Sequence, residues 1–102
     1  MLDVTGFVLT QNNERTLKAC LDSLYWCDEI IVVDSFSTDT TEAIAKSYPK
    51  VRFLQHEYEN YMEQRIWGIP HVKTKWTFTL DSDEVCSDPL REKIIEILKS
   101  GD

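Results

Sequence analysis

Hydrophobic and polar positions along the chain switch repeatedly between a two-residue and a helical period. Val4 to Thr10 (VTGFVLT) is rich in β-branched residues and predicts a first strand. From Asn13 to Tyr25 the apolar positions Leu17, Cys20, Leu21, Leu24 and Tyr25 recur at helical spacing, with Asn12 or Asn13 placed to cap the helix. Glu29 to Asp34 (EIIVVD) holds four consecutive apolar residues, which predicts a strand buried on both faces. Asp39-Thr40-Thr41-Glu42 reads as a variant capping box that opens a helix to about Ser47, closed by Pro49. Val51 to Gln55 is a shorter third strand, and Tyr61 to Ile69 is a helix ended by Pro70. Trp76 to Asp81 is a fourth strand. Asp88 as N-cap and Pro89 at the first helical position open a last helix, which runs to Lys99 with Gly101 placed to end it.

Strands alternating with helices over short links imply right-handed crossovers. The predicted architecture is α/β and Rossmann-like, a parallel sheet of about four strands with helices on both faces. At 102 residues the chain is read as a single domain, residues 1–102.

Composition narrows the partners. Hydrophobic residues make up 42% and charged residues 28%, ordinary for a globular chain, but the formal net charge is −7. That excess of acid argues against nucleic acid as a partner, because phosphate backbones are held by net positive surfaces. Cys20, Cys27 and Cys86 are odd in number and lack metal-ligand spacing, so they read as reduced, buried thiols. Cys20 and Cys27, seven apart, are placed on one helix face. No run approaches the ~18–20 apolar residues of a membrane span, and the amino end lacks signal-peptide character. The expected location is the cytoplasm, with peripheral docking at the inner face of a membrane left open.

The densest chemistry is Thr79-Leu80-Asp81-Ser82-Asp83-Glu84, an apolar strand running out into carboxylates. If the chain stays extended, Asp81 and Asp83 point the same way, roughly 6–7 Å apart. They then repel by about 2–3 kcal/mol at an effective dielectric near 20. A hard divalent cation such as Mg²⁺ or Mn²⁺ turns that repulsion into attraction, taking one or two carboxylates and the rest from substrate phosphates. In an open parallel sheet, ligands bind beyond the carboxyl ends of the strands. Thr10 to Glu14, Asp34 to Asp39 and Asp81 to Glu84 all fall there. No glycine-rich phosphate loop can be written, since the chain has only three glycines. Arg65, Lys73 and Lys75 are therefore the candidate phosphate cations, with Arg65 preferred. His56 and His71 are isolated and read as packing or surface residues.

In these residues the chain resembles the amino-terminal, nucleotide-sugar-binding half of glycosyltransferase family 2, which has the GT-A fold, and in particular its lipopolysaccharide-core β-glucosyltransferase branch. The matching blocks are Thr10-Gln-Asn-Asn-Glu14, Cys27 through Asp39, Gln64-Arg65 with Trp67, and Leu80-Asp-Ser-Asp-Glu84. The resemblance implies that Asp34 contacts the uracil or ribose of a UDP-sugar, with Thr10, Asn12 and Glu14 in the same pocket. It brings Arg65 to the base or diphosphate and Asp81 near the ribose. It gives Asp83 the Mg²⁺ or Mn²⁺ that bridges the diphosphate. Ser37, Asp39 and Ser82 belong to the matching blocks and are counted with the site, although capping is an equally natural task for Ser37 and Asp39. The implied activity is inverting transfer of a hexose to a glycan or lipid-linked acceptor. Two departures stand out. Ile66 occupies a place where the family often has asparagine, and no residue matches the downstream acidic general base, so the catalytic residue is not assigned in this sequence.

Two other readings fit parts of the pattern. Asp81-Ser82-Asp83-Glu84-Val85 satisfies the D-x-D-x-[T/V] signature of haloacid-dehalogenase phosphatases, with Asp81 as nucleophile, but that motif normally opens its domain. A non-catalytic interaction module, self-associating through an uncovered sheet edge near the fourth strand, is the third.

Overall fold

A computed structural model describes residues 2–100. The elements are β1 (Val4–Thr10), α1 (Leu17–Ser23), β2 (Glu29–Asp34), α2 (Thr41–Lys46), β3 (Val51–Gln55), α3 (Tyr61–Gly68), β4 (Trp76–Asp81) and α4 (Asp88–Lys99), with a 3₁₀ turn over Ile69–His71 after α3. The sheet is wholly parallel in the order β3-β2-β1-β4. The predicted architecture is therefore the observed one, with β4 at one edge.

The two faces of the sheet have separate cores. Val4, Val8, Ile30 and Val32 point to one side, against Leu17, Cys20 and Leu21 of α1 and Ala45 of α2. Phe7, Ile31 and Val33 point to the other, against Trp67 of α3 and Ile69. All of these β2 residues are fully buried, which is why four apolar residues run together there. Gly68 is where α3 meets the second core: a Cβ built on it would lie 2.6 Å from Phe7 Cζ and 3.1 Å from Val33 Cγ2. The helix can approach the sheet this closely because the position has no side chain.

Several local readings are corrected by tertiary contacts. α1 begins at Leu17 rather than Asn13, because the Asn13 side chain is drawn into bonds with the ends of β1 and β4. Thr16 is the N-cap and makes no side-chain cap. Cys27 lies beyond the end of α1, so it shares no helix face with Cys20. The predicted capping box at α2 does not close: Glu42 pairs with Lys46 at 2.6 Å, while Glu14 Oε1 accepts from Thr40 N at 3.1 Å. α3 is capped by Asn60, whose side chain accepts from Glu63 N, and α4 by Ser87 rather than Asp88. The expected stop at Gly101 lies outside the described residues.

Candidate functional site

β1, β2 and β3 are laid down in one direction, and the chain then crosses back to place β4 on the other side of β1. The carboxyl ends of β1 and β4 thus form a topological switch point, where parallel sheets open a crevice. A cleft of about 340 Å³ lies there. Thr10, Gln11 and Asn13 line it from the end of β1, and Ser35 from the end of β2. Asp81, Ser82 and Asp83 form the opposite wall, with Tyr58 and Tyr61 at the approach to α3.

Asn13 holds the two walls together. Its Oδ1 accepts from Thr10 Oγ1 at 2.7 Å, Gln11 N at 2.9 Å and Ser82 Oγ at 2.7 Å. Ser82 is therefore buried and structural at its hydroxyl, while its neighbours Asp81 and Asp83 are exposed. The strand ends at Asp81, so extended alternation does not carry through the acidic run. A turn replaces it: Glu84 N donates to the Asp81 carbonyl, and Asp81 N donates to Glu84 Oε1, both at 2.9 Å. The turn, rather than strand pleating, delivers Asp81 and Asp83 to the same cleft. Glu84 is spent on closing it.

The cleft's acid pair is electrostatically felt behind it. Cys20 Sγ lies 3.5 Å from the Asp81 carbonyl. Burial first, then the Glu84, Asp83 and Asp81 carboxylates, push this thiol from its ordinary 9.0 up to about 12. Burial does the same to Cys27, also up to about 12. The folded chain keeps these protons where the unfolded chain has released them. Stability is thus fully present below pH 9 and falls as pH rises from 9 towards 12, at most about 1.4 kcal/mol per unit for each thiol. Urea titrations at pH 8.5 and 9.5 are expected to show that loss; equal midpoints would refute it. No disulfide joins the three buried thiols.

The remaining residues of the sequence-derived site serve three different tasks. Asn12, Glu14, Ser37 and Asp39 lace the β1–α1 loop to the β2–α2 loop. Asn12 Oδ1 accepts from Thr38 N at 2.8 Å, and Asn12 N donates to Ser37 Oγ at 2.7 Å. Glu14 N donates to Asp39 Oδ2 at 3.3 Å. Hydrogen bonds from Thr41, above all its side chain, hold the Asp39 carboxyl below its usual range. Asn12 and Phe36 take left-handed backbone here, with φ of 53° and 56°; for the exposed Phe36 this is a strained choice. Asp34 lies in register with Thr10 and is fully buried behind the cleft wall. Its carboxylate accepts from Ser37 N at 2.9 Å, from Ser37 Oγ, and from Gln55 Nε2 at 3.2 Å. Arg65 lines a separate groove of about 500 Å³ with Met62, Ile66 and Pro70, and sits 5.8 Å from the Tyr61 ring centre. Tyr61 borders both spaces. Lys73 and Lys75 precede β4, at the amino ends of the strands, so the sequence-based expectation that they serve phosphates in the cleft is corrected. Lys75 lies over the Trp76 ring instead.

No group of three or more His, Cys, Asp or Glu side chains able to hold a metal ion occurs among the described residues. The cleft offers two exposed carboxylates, Asp81 and Asp83. This matches what Mg²⁺ or Mn²⁺ takes from a protein when phosphates complete the shell.

The sequence profile of Glycosyl transferase family 2 matches residues 7–102. The chain belongs to that family. Among curated family relatives, the lipopolysaccharide core biosynthesis glycosyltransferase LpsC of Rhizobium meliloti (strain 1021) is 34% identical, across 99% of this chain and 39% of its own length. The glycosyltransferase SunS of Bacillus subtilis (strain 168) is 30% identical, across 94% of this chain and 24% of its own. The chain thus spans about two fifths or less of the relatives it matches. Two solved structures share the fold. Staphylococcus aureus TarS (1–349) superposes with a TM-score of 0.75 at 21% identity, covering 96% of this chain and 32% of TarS. Mycobacterium tuberculosis glucosyl-3-phosphoglycerate synthase, solved with Mn²⁺, UDP and glucosyl-3-phosphoglycerate, superposes at 0.68 with 24% identity, covering 88% and 37%.

Sequence reasoning did not assign Gln11, Asn13, Ser35, Tyr58 and Tyr61 to the site, although all line the cleft. Gln11 and Ser35 had a signal, since both directly follow predicted strands, and Asn13 lies in the polar run placed beyond the first of them. The tyrosines had none: Tyr58 comes from the irregular segment before α3, and Tyr61 is the first residue of that helix.

Proposed function

We propose that this chain is the donor-binding half of an inverting, metal-dependent glycosyltransferase that takes a hexose from a UDP-sugar. The observation that carries the reading is the pairing of Asp81 and Asp83 on one wall of a cleft at the switch point, opposite the hydrogen-bonding wall of Thr10 and Ser35. A nucleoside diphosphate has the matching halves: a base and ribose for the polar wall, and phosphates that need a counter-charge at the acidic one. Asp83 would hold the Mg²⁺ or Mn²⁺ and Asp81 would lie beside it towards the ribose. The ion would supply positive charge to the departing diphosphate. Asp34, Asn12, Glu14, Ser37 and Asp39 support the loops that form the pocket, and Arg65 borders it through Tyr61. The acceptor is a glycan or lipopolysaccharide-type molecule, a class that the relative LpsC carries in its name. No residue of this sequence is assigned as the base that takes the acceptor's proton, a role that typically contributes ~10²–10⁴-fold. We place the chain in the cytoplasm, where it meets a soluble donor and reaches a lipid-linked acceptor at the membrane's inner face. No helix among the described residues is long and apolar enough to cross a membrane. Family membership favours this reading over phosphatase chemistry at Asp81.

Isothermal titration of UDP into the protein tests it. Binding is expected in Mn²⁺ and to weaken at least about tenfold when EDTA replaces the ion. Equal heats in the two buffers would remove the metal from the reading, and no heat in either would remove the nucleotide.

A further inference from the structure

One buried amide outside the cleft controls two parts of its wall. Gln64 of α3 is fully buried. Its Nε2 donates to the His56 carbonyl at 3.1 Å and to Ser35 Oγ at 2.9 Å. Its Oε1 lies 2.8 Å from His56 Nδ1. The polarity of every bond follows from one fact. A backbone carbonyl only accepts, so the amide nitrogen must face the His56 carbonyl. Oε1 then faces the imidazole, and His56 must carry a proton on Nδ1 to satisfy it. The second amide hydrogen goes to Ser35 and fills an acceptor position on that hydroxyl. The Ser35 proton finds no acceptor among the described residues, and Ser35 lines the cleft. Its proton is therefore left to a ligand.

The same amide closes the segment between residues 56 and 64 on itself. His56 is fixed further by stacking on Trp67, with ring centres 4.3 Å apart and planes at 19°. Glu63 Oε1, 3.8 Å from His56 Nδ1, is the carboxylate nearest that nitrogen in the segment. Between the clamped ends the chain presents Tyr58 and Tyr61 at the cleft, about half exposed. Gln64 does not line the cleft, yet it bonds to Ser35, which does, and to His56 at the start of the segment that carries Tyr58 and Tyr61.

We propose that Gln64 is a positioning residue for ligand binding. Held by His56, it orients the Ser35 hydroxyl as a donor to an acceptor oxygen of the ligand and fixes the Tyr58–Tyr61 rim around it. The ligand class, a nucleoside diphosphate, rests on the function proposed above, whereas the relay of proton positions does not.

UDP with Mn²⁺ is the probe, alongside ¹⁵N spectra of the His56 imidazole at pH 8. The relay requires a proton on Nδ1, which in a neutral ring is the reverse of the tautomer that free imidazole side chains prefer. Ser35→Ala is expected to weaken UDP binding about fivefold, the worth of one neutral hydrogen bond. Gln64→Glu introduces oxygens that only accept, which turns the Ser35 proton away from the cleft. Its expected loss is about tenfold, with the ratio of affinities in Mn²⁺ and EDTA unchanged, since the acid pair is untouched. Gln64→Glu also sets a carboxylate against the His56 carbonyl; if circular dichroism shows it unfolded, Ser35→Ala and the wild-type spectrum carry the test. A His56 ring that carries no proton on Nδ1 overturns the relay. Wild-type UDP binding with Ser35→Ala and folded Gln64→Glu as tight as wild type overturns this proposal alone. A wild-type protein that takes up no UDP overturns the donor reading and, with it, the ligand contact.

Discussion

Asp83→Ala is expected to reduce Mn²⁺-dependent affinity for UDP by on the order of 100-fold while leaving the fold unchanged. Groups that only orient a metal's ligands cost about 10–100-fold when removed, so a carboxylate placed to be a ligand itself belongs at the upper end. Asp83 makes no hydrogen bond or ion pair among the described residues, in contrast to Glu84, which closes the turn, and Ser82, which is bonded to Asn13. It is exposed, so its truncation leaves no buried partner unsatisfied. The expected change in stability is within about 0.5 kcal/mol, or about 2–4 °C in Tm. Calorimetry and thermal melts of the same preparation check both halves. Unchanged affinity would detach Asp83 from the metal, and a large fall in Tm would mean that the residue supports the turn.

Gly68→Val is expected to be the most destabilising small substitution outside the site, at about 3 kcal/mol, the upper range for overpacking a core. The added Cβ would fall 2.6 Å and 2.9 Å from two Phe7 ring atoms and 3.1 Å from Val33 Cγ2. Phe7 is fully buried at the centre of β1, so its ring has little freedom to withdraw. α3 must shift outwards instead, and Tyr61 and Gln64 move with it. For a domain of this size, Tm should fall by about 12–24 °C. Gly6→Ala is the comparison: its new Cβ would meet Leu24 Cδ1 at 3.3 Å, close but yielding, for a cost below about 1 kcal/mol. A Gly68→Val protein as stable as wild type would show that α3 does not seat on Phe7 as described.

The limits of β1 and β2 were legible in the sequence because burial on both faces leaves an apolar signature that needs no partner to interpret. Helix starts were less so. The Asn13 and Glu42 side chains each had a plausible local capping role, but Asn13 bonds to the distant Ser82 and Glu42 to Lys46. Asp81, Ser82 and Asp83 of the acidic run line the cleft, but the extended alternation read from the sequence does not hold: a turn at Asp81–Glu84 replaces it. Lys73 and Lys75 lie close in sequence to the strand that ends in the acidic run, but a strand has two ends and they sit at the other one.

Local composition and order along the chain thus determined the α/β class, the parallel sheet, the family and the acidic segment at its centre, because each is written in contiguous residues whose burial or charge is a local property. Which carboxylates remain available, which way the Gln64 amide faces and which tyrosines reach the cleft were decided only by the folded chain. Those are matters of hydrogen bonding and of approach between segments 20 to 70 residues apart, as in Ser82 to Asn13 and Gln64 to Ser35. A side chain able to bond in several ways takes the partner that packing brings to it, and that partner is not its neighbour in sequence.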